Sequence, residues 1–210
     1  MFPVWATRPF EEYRTRRMAQ YLLPHIGFGE SVLDCGCGSM LIAALLSEHA
    51  AATVYGTDVI NLNRTALSMC LSAGERLPFA SNSMDTICLV FVLHHVRSPG
   101  DTLRECLRVT RRRVIVAEDV YENPLELGVL RALDWFGNRS VSGEMELPFG
   151  FETEPAWGAI FQELGMTIAA VERIRPIPWR PSRHRLFVLE KPKRHATQAE
   201  LGDSPGEKGA

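Results

Sequence analysis

The sequence predicts an α/β fold, built on a mostly parallel, doubly wound sheet with helices on both faces. Segments typical of strands and helices alternate four times between residues 31 and 117, which is the pattern of consecutive β-α-β units. The length of 210 residues suits one domain that buries a sizeable core. Apolar residues make up 46% and charged residues 23% of the chain, as in ordinary globular proteins.

The first half of the chain carries these signals in a clear order. Aromatic and long side chains recur at helical spacing over 9–23, and Pro24 and Gly27 then break the pattern. Short apolar runs between turn residues predict the strands. The predicted order after the first helix is a strand at 31–35, a helix at 39–50, a strand at 53–57, a weak helix at 60–69, a turn-rich stretch at 73–82 and a strand at 84–91.

The second half continues the alternation. Pro99 and Asp101 open a helix that reaches about Val109, and Gly165 marks the end of a later one. The further predicted elements are a strand at 113–117, helices at 124–136 and 154–164, and strands at 166–174 and 185–190. Glycines predict a mobile segment over 137–153. We expect one domain over 1–191 and a flexible tail over 192–210, since that tail has almost nothing to bury.

Bulk charge and cysteine content argue against several classes of protein. The formal net charge is −2, so no general field attracts nucleic acid or membrane. No apolar run approaches the roughly 20 residues that span a bilayer, and residues 1–17 lack the apolar core of a signal peptide. The five cysteines show no disulfide-scaffold spacing. We therefore expect a cytoplasmic monomer or homodimer that binds neither nucleic acid nor membrane.

A glycine-rich turn after the first strand is the strongest functional signal. Gly36 and Gly38 allow the backbone to approach a ligand closely, and the next helix offers free N–H groups. A dinucleotide site requires Gly-x-Gly-x-x-Gly, whose third glycine is replaced here by Leu41. Asp58 ends the second strand, where a carboxylate accepts hydrogen bonds from ribose hydroxyls. Together these features predict a nucleoside-like ligand without a pyrophosphate.

Five motifs in this order cover residues 28–120. They are Asp34-x-Gly36-x-Gly38, Asp58, Leu77-Pro78-Phe79, Met84-Asp85-Thr86-Ile87 and Leu93-His94-His95-Val96. The set resembles class I S-adenosylmethionine-dependent methyltransferases, and most closely those of the methyltransferase-11 type. The resemblance implies a Rossmann-like sheet of seven strands, mostly parallel with an antiparallel last strand. It also implies S-adenosyl-L-methionine as the cofactor.

The resemblance further implies roles for individual residues. Asp34, Gly36 and Gly38 surround the methionine part of the donor, and Asp58 holds its ribose. The N-terminal helix, within residues 1–27, would be a lid over the donor. The implied cofactor-binding residues are Asp34, Cys35, Gly36, Gly38, Asp58, Val59, Ala73, Gly74, Glu75 and Phe91.

Three places depart from the family pattern. Met40 stands where the family usually has a glycine, and it either crowds the donor or packs under the helix. Ala73 stands where an aspartate often contacts the adenine, which leaves the backbone N–H of Gly74 for that ring. Arg111-Arg112-Arg113 replaces a two-glycine turn.

The two histidines after the fourth strand are the candidate catalytic residues. Methyl transfer from a sulfonium is a direct displacement, so the protein mainly aligns donor and acceptor. His95 is the preferred base for the acceptor's proton and His94 the second candidate, while the alternative is that both only orient a loop. Glu118 and Asp119 either line the acceptor pocket or are solvated loop charges.

The sequence predicts no metal site. Cys35 and Cys37 look like half of one, but no second pair of Cys or His is spaced to complete a zinc tetrahedron.

The main functional hypothesis is methyl transfer from S-adenosyl-L-methionine to an O or N atom of a small molecule. Two alternatives remain open. The first is a catalytically silent binding protein of the same fold, which Met40 and Ala73 suggest. The second is an oxidoreductase of the NAD type, which Leu41 disfavours.

Overall fold

The computed structural model describes residues 4–138 and 150–192. The helices are α1 Val4–Leu22, α2 Leu41–Ala50, α3 Pro99–Val109, α4 Pro124–Asn138 and α5 Glu154–Glu163. The strands are β1 Ser31–Cys35, β2 Thr53–Asp58, β3 Met69–Leu71, β4 Met84–Val90, β5 Thr110–Val120, β6 Thr167–Ile174 and β7 Arg183–Glu190. Two short 3-10 turns cover Leu23–His25 and Leu93–His95.

These strands form a seven-stranded sheet in the order β3-β2-β1-β4-β5-β7-β6. The five strands β1 to β5 are parallel, and β7 runs antiparallel between β5 and β6. The sheet confirms the predicted fold class. Because the five parallel strands end at one edge, the loops after β1, β2, β3, β4 and β5 lie there together.

Both faces of the sheet are covered by helices. On one face α1 and α2 bury Met18, Leu22 and Leu46 against Val32 and Ile115, all at most 1% exposed. On the other face α3 and α5 supply the core residues Leu103, Cys106, Trp157 and Phe161, which pack against Leu33, Ile87 and Val116. The central strands are therefore apolar on both faces, as expected for a parallel sheet between two helical layers.

Capping residues set the predicted boundaries of α3 and α5. Ser98 caps α3 by accepting the N–H of Asp101, with Pro99 in the first turn. Thr153 caps α5 by accepting the N–H of Ala156. Gly165 follows α5 with φ of 73°, the left-handed conformation typical beyond a helix end.

The prediction of a weak helix at 60–69 is wrong. That stretch is an irregular loop followed by β3, whose three residues pair with β2. The side chain of Asn61 accepts the N–H of Asn63, and the side chain of Asn63 accepts the N–H of Thr65. Such local bonds to asparagine compete with helical hydrogen bonds, which explains why the helix does not form.

Several other elements differ only in length. Helix α1 begins at Val4, five residues before the predicted start at Pro9, and so contains this proline. Strand β5 is eleven residues long, where the prediction covered 113–117, because its pairing with β4 begins at Thr110 and its pairing with β7 continues to Val120.

Two predicted features fall mainly outside the described part of the chain. The mobile segment at 137–153 overlaps the undescribed residues 139–149, and the flexible tail at 192–210 overlaps 193–210. In the described ranges, no helix has the length and apolar character needed to cross a membrane.

Candidate functional site

The loop after β1 turns sharply beneath the side chain of Val92. The N–H groups of Gly36 and Cys37 both donate to the carbonyl of Thr57, at 2.7 and 3.0 Å. Gly36 has φ of 77°, and a Cβ there would collide with the Cγ atoms of Val92. Only glycine meets both requirements. A Cβ on Gly38, in contrast, would meet nothing within 4 Å, so the backbone is open to a ligand on that side.

The carboxylate of Asp58 lies against this loop, as the sequence predicts. Its Oδ2 accepts the N–H of Gly38 at 2.8 Å, and its Oδ1 accepts the N–H of Ile60 at 3.3 Å. The carbonyl of Asp58 accepts the N–H of Ser72 at 2.9 Å, which brings the loop after β3 to the same place. A carboxylate has about four lone-pair sites, so ribose hydroxyls can still donate to Asp58.

Asp34 lies at the end of β1 with 2% of its surface exposed. Burial, followed by the nearby negative charge of Asp58, raises the pKa of Asp34 to about 7. Near neutral pH this carboxyl group is therefore only partly ionised, and a cation placed beside it would favour the ionised form.

The side chain of Met40 packs under the helix. Met40 is fully buried, and its Sδ and Cε atoms lie against Gly56 of β2, in the core between the sheet, α1 and α2. Its backbone is left-handed, with φ of 58°, at the N-cap of α2. Of the two possibilities that the sequence left open, packing under the helix is the one observed.

The remaining predicted cofactor residues follow β1, β2, β3 and β4. Ala73, Glu75 and Val59 have exposed side chains in the loops after β2 and β3. Gly74 packs on Thr102 of α3, where a Cβ would come within 2.9 Å of a methyl carbon. Cys35 is different, because its side chain is 2% exposed and lies in the core under α3. Only the backbone of Cys35 remains available to a ligand.

Phe91 follows β4 in a strained conformation. Its φ is 58°, in the region that favours glycine, while its N–H still donates to the carbonyl of Ala117 at 2.8 Å. Its ring meets the ring of His184 edge to face at 5.4 Å. Strain of this kind costs about 1–3 kcal/mol and is concentrated at functional sites.

Glu118 is the centre of a buried network under the turn that carries the two histidines. Its Oε1 accepts the N–H groups of Val92 and Leu93, and its Oε2 accepts Nδ1–H of His94 at 2.6 Å. Glu118 is fully buried and His94 is 2% exposed. The interpretation of Glu118 and Asp119 as solvated loop charges is therefore wrong, since Asp119 is also buried.

The two neighbouring histidines have opposite electrostatic surroundings. Burial opposes a charge on His94, but the carboxylates of Glu118 and Asp134 outweigh it and raise the pKa of His94 to about 10. Burial, together with the charge on His94, lowers the pKa of His95 to about 4. Near neutral pH His94 is thus a cation and His95 is neutral, with a lone pair available on its ring.

Sequence reasoning missed two partners of this region. Asp134 of α4 lies with Oδ1 3.7 Å from Nε2 of His94 and 3.6 Å from Nε2 of His95. His184 of β7 lies with Nδ1 2.6 Å from Asp119. Both residues come from elements distant in sequence from the histidine pair, and no local sequence pattern predicts these contacts. Two consecutive residues of β5 therefore each belong to a buried acid–histidine pair, Glu118 with His94 and Asp119 with His184.

A separate cavity of about 180 Å³ lies between α1 and the start of α2, lined by Glu12, Thr15 and Leu41 among others. It is smaller than the roughly 300 Å³ of the smallest usual ligand pockets. The glycine loop and the end of β4 thus remain the better candidate for the functional site.

Comparison with known proteins agrees with this geometry. The family model described as a methyltransferase domain matches residues 33–117. A demethylmenaquinone methyltransferase of Renibacterium salmoninarum is 31% identical in an alignment 172 residues long. The match covers 69% of this chain and 68% of that protein.

Two solved structures share the fold. A putative methyltransferase of Haloferax volcanii, solved with the activator Trm112, superposes with a TM-score of 0.71 at 17% identity, covering 90% of this chain and 95% of the other. A SAM-dependent methyltransferase of Aquifex aeolicus has a TM-score of 0.63 at 16% identity, covering 91% and 100%.

The chain belongs to the class I S-adenosylmethionine-dependent methyltransferases, with a methyltransferase domain of type 11. It is accordingly a methyltransferase whose cofactor is S-adenosyl-L-methionine. This membership favours catalysis over the silent binding protein and over the oxidoreductase of the NAD type.

Proposed function

We propose that the enzyme transfers the methyl group of S-adenosyl-L-methionine to an oxygen or nitrogen atom of a small molecule. The observation that carries the proposal is the meeting of two groups at one edge of the sheet. Asp58 and the glycine loop form the donor side, and the histidine pair after β4 forms the acceptor side. The related protein from Renibacterium salmoninarum supports a small-molecule acceptor, since its name specifies demethylmenaquinone.

On the donor side, the ribose hydroxyls bind to Asp58 and the methionine part lies along Gly36 and Gly38. The open space beside Gly38 supports this placement, because backbone N–H groups and a carboxylate are within reach of the same ligand. Asp34 then provides negative charge near the sulfonium and the amino group. Val59, Ala73, Gly74 and Glu75 border the adenine, and Phe91 borders the methionine part.

On the acceptor side, His95 takes the proton that the nucleophile loses. A neutral ring with a free lone pair supports this role, whereas His94 is committed to Glu118 through Nδ1. In our proposal Glu118 and His94 hold the turn that positions His95. General-base assistance contributes about 10²- to 10⁴-fold in rate.

The variant His95→Ala tests this assignment. We expect methyl transfer to slow by about 100-fold or more, with the affinity for S-adenosyl-L-methionine unchanged in calorimetry. The matched control is His49→Ala, which removes an exposed imidazole at the end of α2. An unaltered transfer rate in His95→Ala would refute the base role.

We also infer a cytoplasmic enzyme that works as a monomer or homodimer and needs neither nucleic acid nor membrane. Its five free thiols support a reducing compartment. Size-exclusion chromatography with light scattering measures the oligomeric state, and a mass above that of two chains contradicts this inference.

A further inference from the structure

The histidine pair and Asp134 form a group of three potential metal ligands. The candidate ligand atoms of His94, His95 and Asp134 all lie within 4.8 Å of one another. The two Nε2 atoms are 3.7 and 3.6 Å from Oδ1 of Asp134, longer than ordinary hydrogen bonds. Two donor atoms 3.6 Å apart subtend about 120° at an ion bound at about 2.1 Å. These separations are therefore close to those of a coordination sphere.

The ring of His94 is held in the orientation that a ligand requires. Its Nδ1–H donates to the fully buried Glu118, which leaves Nε2 directed toward Asp134. Phe151 stacks on the ring at 4.5 Å with an interplanar angle of 19°, and the N–H of Gly150 donates to the carbonyl of His94. A carboxylate behind a histidine is the usual outer partner of a metal-binding imidazole, since it orients the ring and makes it more basic.

We propose that His94, His95 and Asp134 bind a divalent metal ion of the zinc class, through two Nε2 atoms and Oδ1. Two imidazoles and one carboxylate suit zinc or cobalt, whereas magnesium and calcium prefer oxygen ligands. When the ion binds, it replaces the proton on Nε2 of His94, and that proton passes to solvent. Three protein ligands leave a coordination position open, as in catalytic zinc sites.

The open position defines a substrate class. Resting on the proposed function, the site binds the hydroxyl oxygen of the acceptor there, in place of water. A bound cation lowers the pKa of such a hydroxyl and so makes the oxygen a better nucleophile for the methyl group. The proton of the hydroxyl leaves to solvent as the new oxygen–methyl bond forms, and the donor's sulfur keeps the electron pair of the broken bond. In this arrangement His95 acts as a ligand and the metal replaces it as the activating group.

Metal binding by the 210-residue chain tests the site directly. After treatment with a chelator, we expect one equivalent of cobalt(II) to give ligand-field absorption typical of a site with fewer than six ligands, and one equivalent of zinc to displace it. Asp134→Ala and His95→Ala should each weaken zinc binding about 100-fold or more. Glu118→Gln, which removes only the charge of the outer partner, should weaken zinc binding about 10- to 100-fold.

Two controls separate this site from accidental binding. Glu126→Ala removes a partly buried carboxylate that pairs with Arg183 and lies on the same helix as Asp134. Cys70→Ser removes the cysteine that is only partly buried. Both variants should bind zinc as the wild type does. The absence of stoichiometric zinc and cobalt binding in the wild type, or full binding in Asp134→Ala and His95→Ala, overturns the proposal.

The outcome is distinct from that of the proposed function. Methyl transfer to a small-molecule oxygen or nitrogen without any metal binding refutes the metal site and leaves the proposed function standing. Stoichiometric zinc bound by His95 and Asp134, with no transfer to such acceptors, confirms the metal ligands but refutes both the proposed function and the hydroxyl acceptor assigned to the open position.

Discussion

At the scale of single residues, positive φ angles shape the loops that we propose as the donor site. Gly36, Met40 and Phe91 all have positive φ, and each lies directly after a strand or at the start of α2. Gly36 has to be glycine because Val92 occupies the space of a Cβ. Met40 tolerates the same region because its side chain fills the space above Gly56. A departure from the family's glycine at position 40 is therefore compatible with an open donor site.

The raised pKa of Asp34 leads to a prediction about donor binding. If the ionised carboxylate receives the cationic methionine part, binding releases a proton below the pKa of about 7. The affinity should then rise about tenfold between about pH 6 and about pH 8 and level off above that range. Calorimetry in two buffers of different ionisation enthalpy measures the released proton. Asp34→Asn should remove the pH dependence, and a flat profile in the wild type would contradict the role of Asp34.

At the scale of elements, the amino ends of the central strands are joined by polar contacts around Asp85. Its Oδ2 accepts the N–H and the hydroxyl of Ser31, and its Oδ1 accepts from Arg111. The arginines that replace the family's glycine turn thus tie β5 to β1 and β4. Arg112 does the same through an ion pair with Glu30, which is 6% exposed.

These contacts predict that the free energy of unfolding depends on pH in the acid range. Burial alone would raise the pKa of Asp85, but Ser31 and Arg111 outweigh it and lower the pKa to about 2. The stabilisation is present above about pH 4, the pKa of this carboxyl group in the unfolded chain, and is lost as the pH falls toward about 2. Asp85→Asn should cost about 1 kcal/mol at neutral pH and almost nothing near about pH 2.

Urea unfolding at several pH values measures this difference. Glu48→Gln, at an exposed position of α2, serves as the control and should leave the profile unchanged. A constant difference between Asp85→Asn and the wild type across this pH range would show that the ion pair is not its source.

At the scale of the whole molecule, two apolar layers hold the sheet so that its carboxyl edge stays in place. The layer under α3 and α5 contains Trp157 and Phe161, which are fully buried and stack at 6.0 Å. Phe161 also meets Phe187 of β7 edge to face at 5.1 Å, so α5 is tied to the antiparallel strand. This layer supports β5, which carries Glu118 and Asp119.

Removing one large side chain from this layer should destabilise the entire fold. We expect Phe161→Ala to lower the free energy of unfolding by about 3–5 kcal/mol, through lost burial and the cavity that remains. The control Phe28→Ala removes a ring that is 88% exposed and should change stability by less than about 0.5 kcal/mol. Chemical denaturation with a two-state fit measures both, and equal values for the two variants would contradict this account of the core.

Much of the fold and of the donor side follows from local sequence. Apolar runs between turn residues determine β1, β2 and β4, and the caps at Ser98 and Thr153 determine where α3 and α5 begin. The glycine loop and Asp58 were predicted to converge, and Asp58 does contact Gly38. These features depend on residues close in the chain or on the order of parallel strands, which a sequence displays directly.

On the acceptor side the sequence identifies the histidine pair as candidates, but only the tertiary structure determines the partners of these histidines. The residues that meet there come from the turn after β4, from β5, from α4 and from β7. No periodicity or spacing links His94 to Asp134 or Asp119 to His184. The burial of Glu118 could not be predicted either. The sequence around a carboxylate does not show whether water or an imidazole will surround it in the fold. The physical reason is that desolvation and charge pairing depend on what packs around a residue, and only the folded chain determines those neighbours.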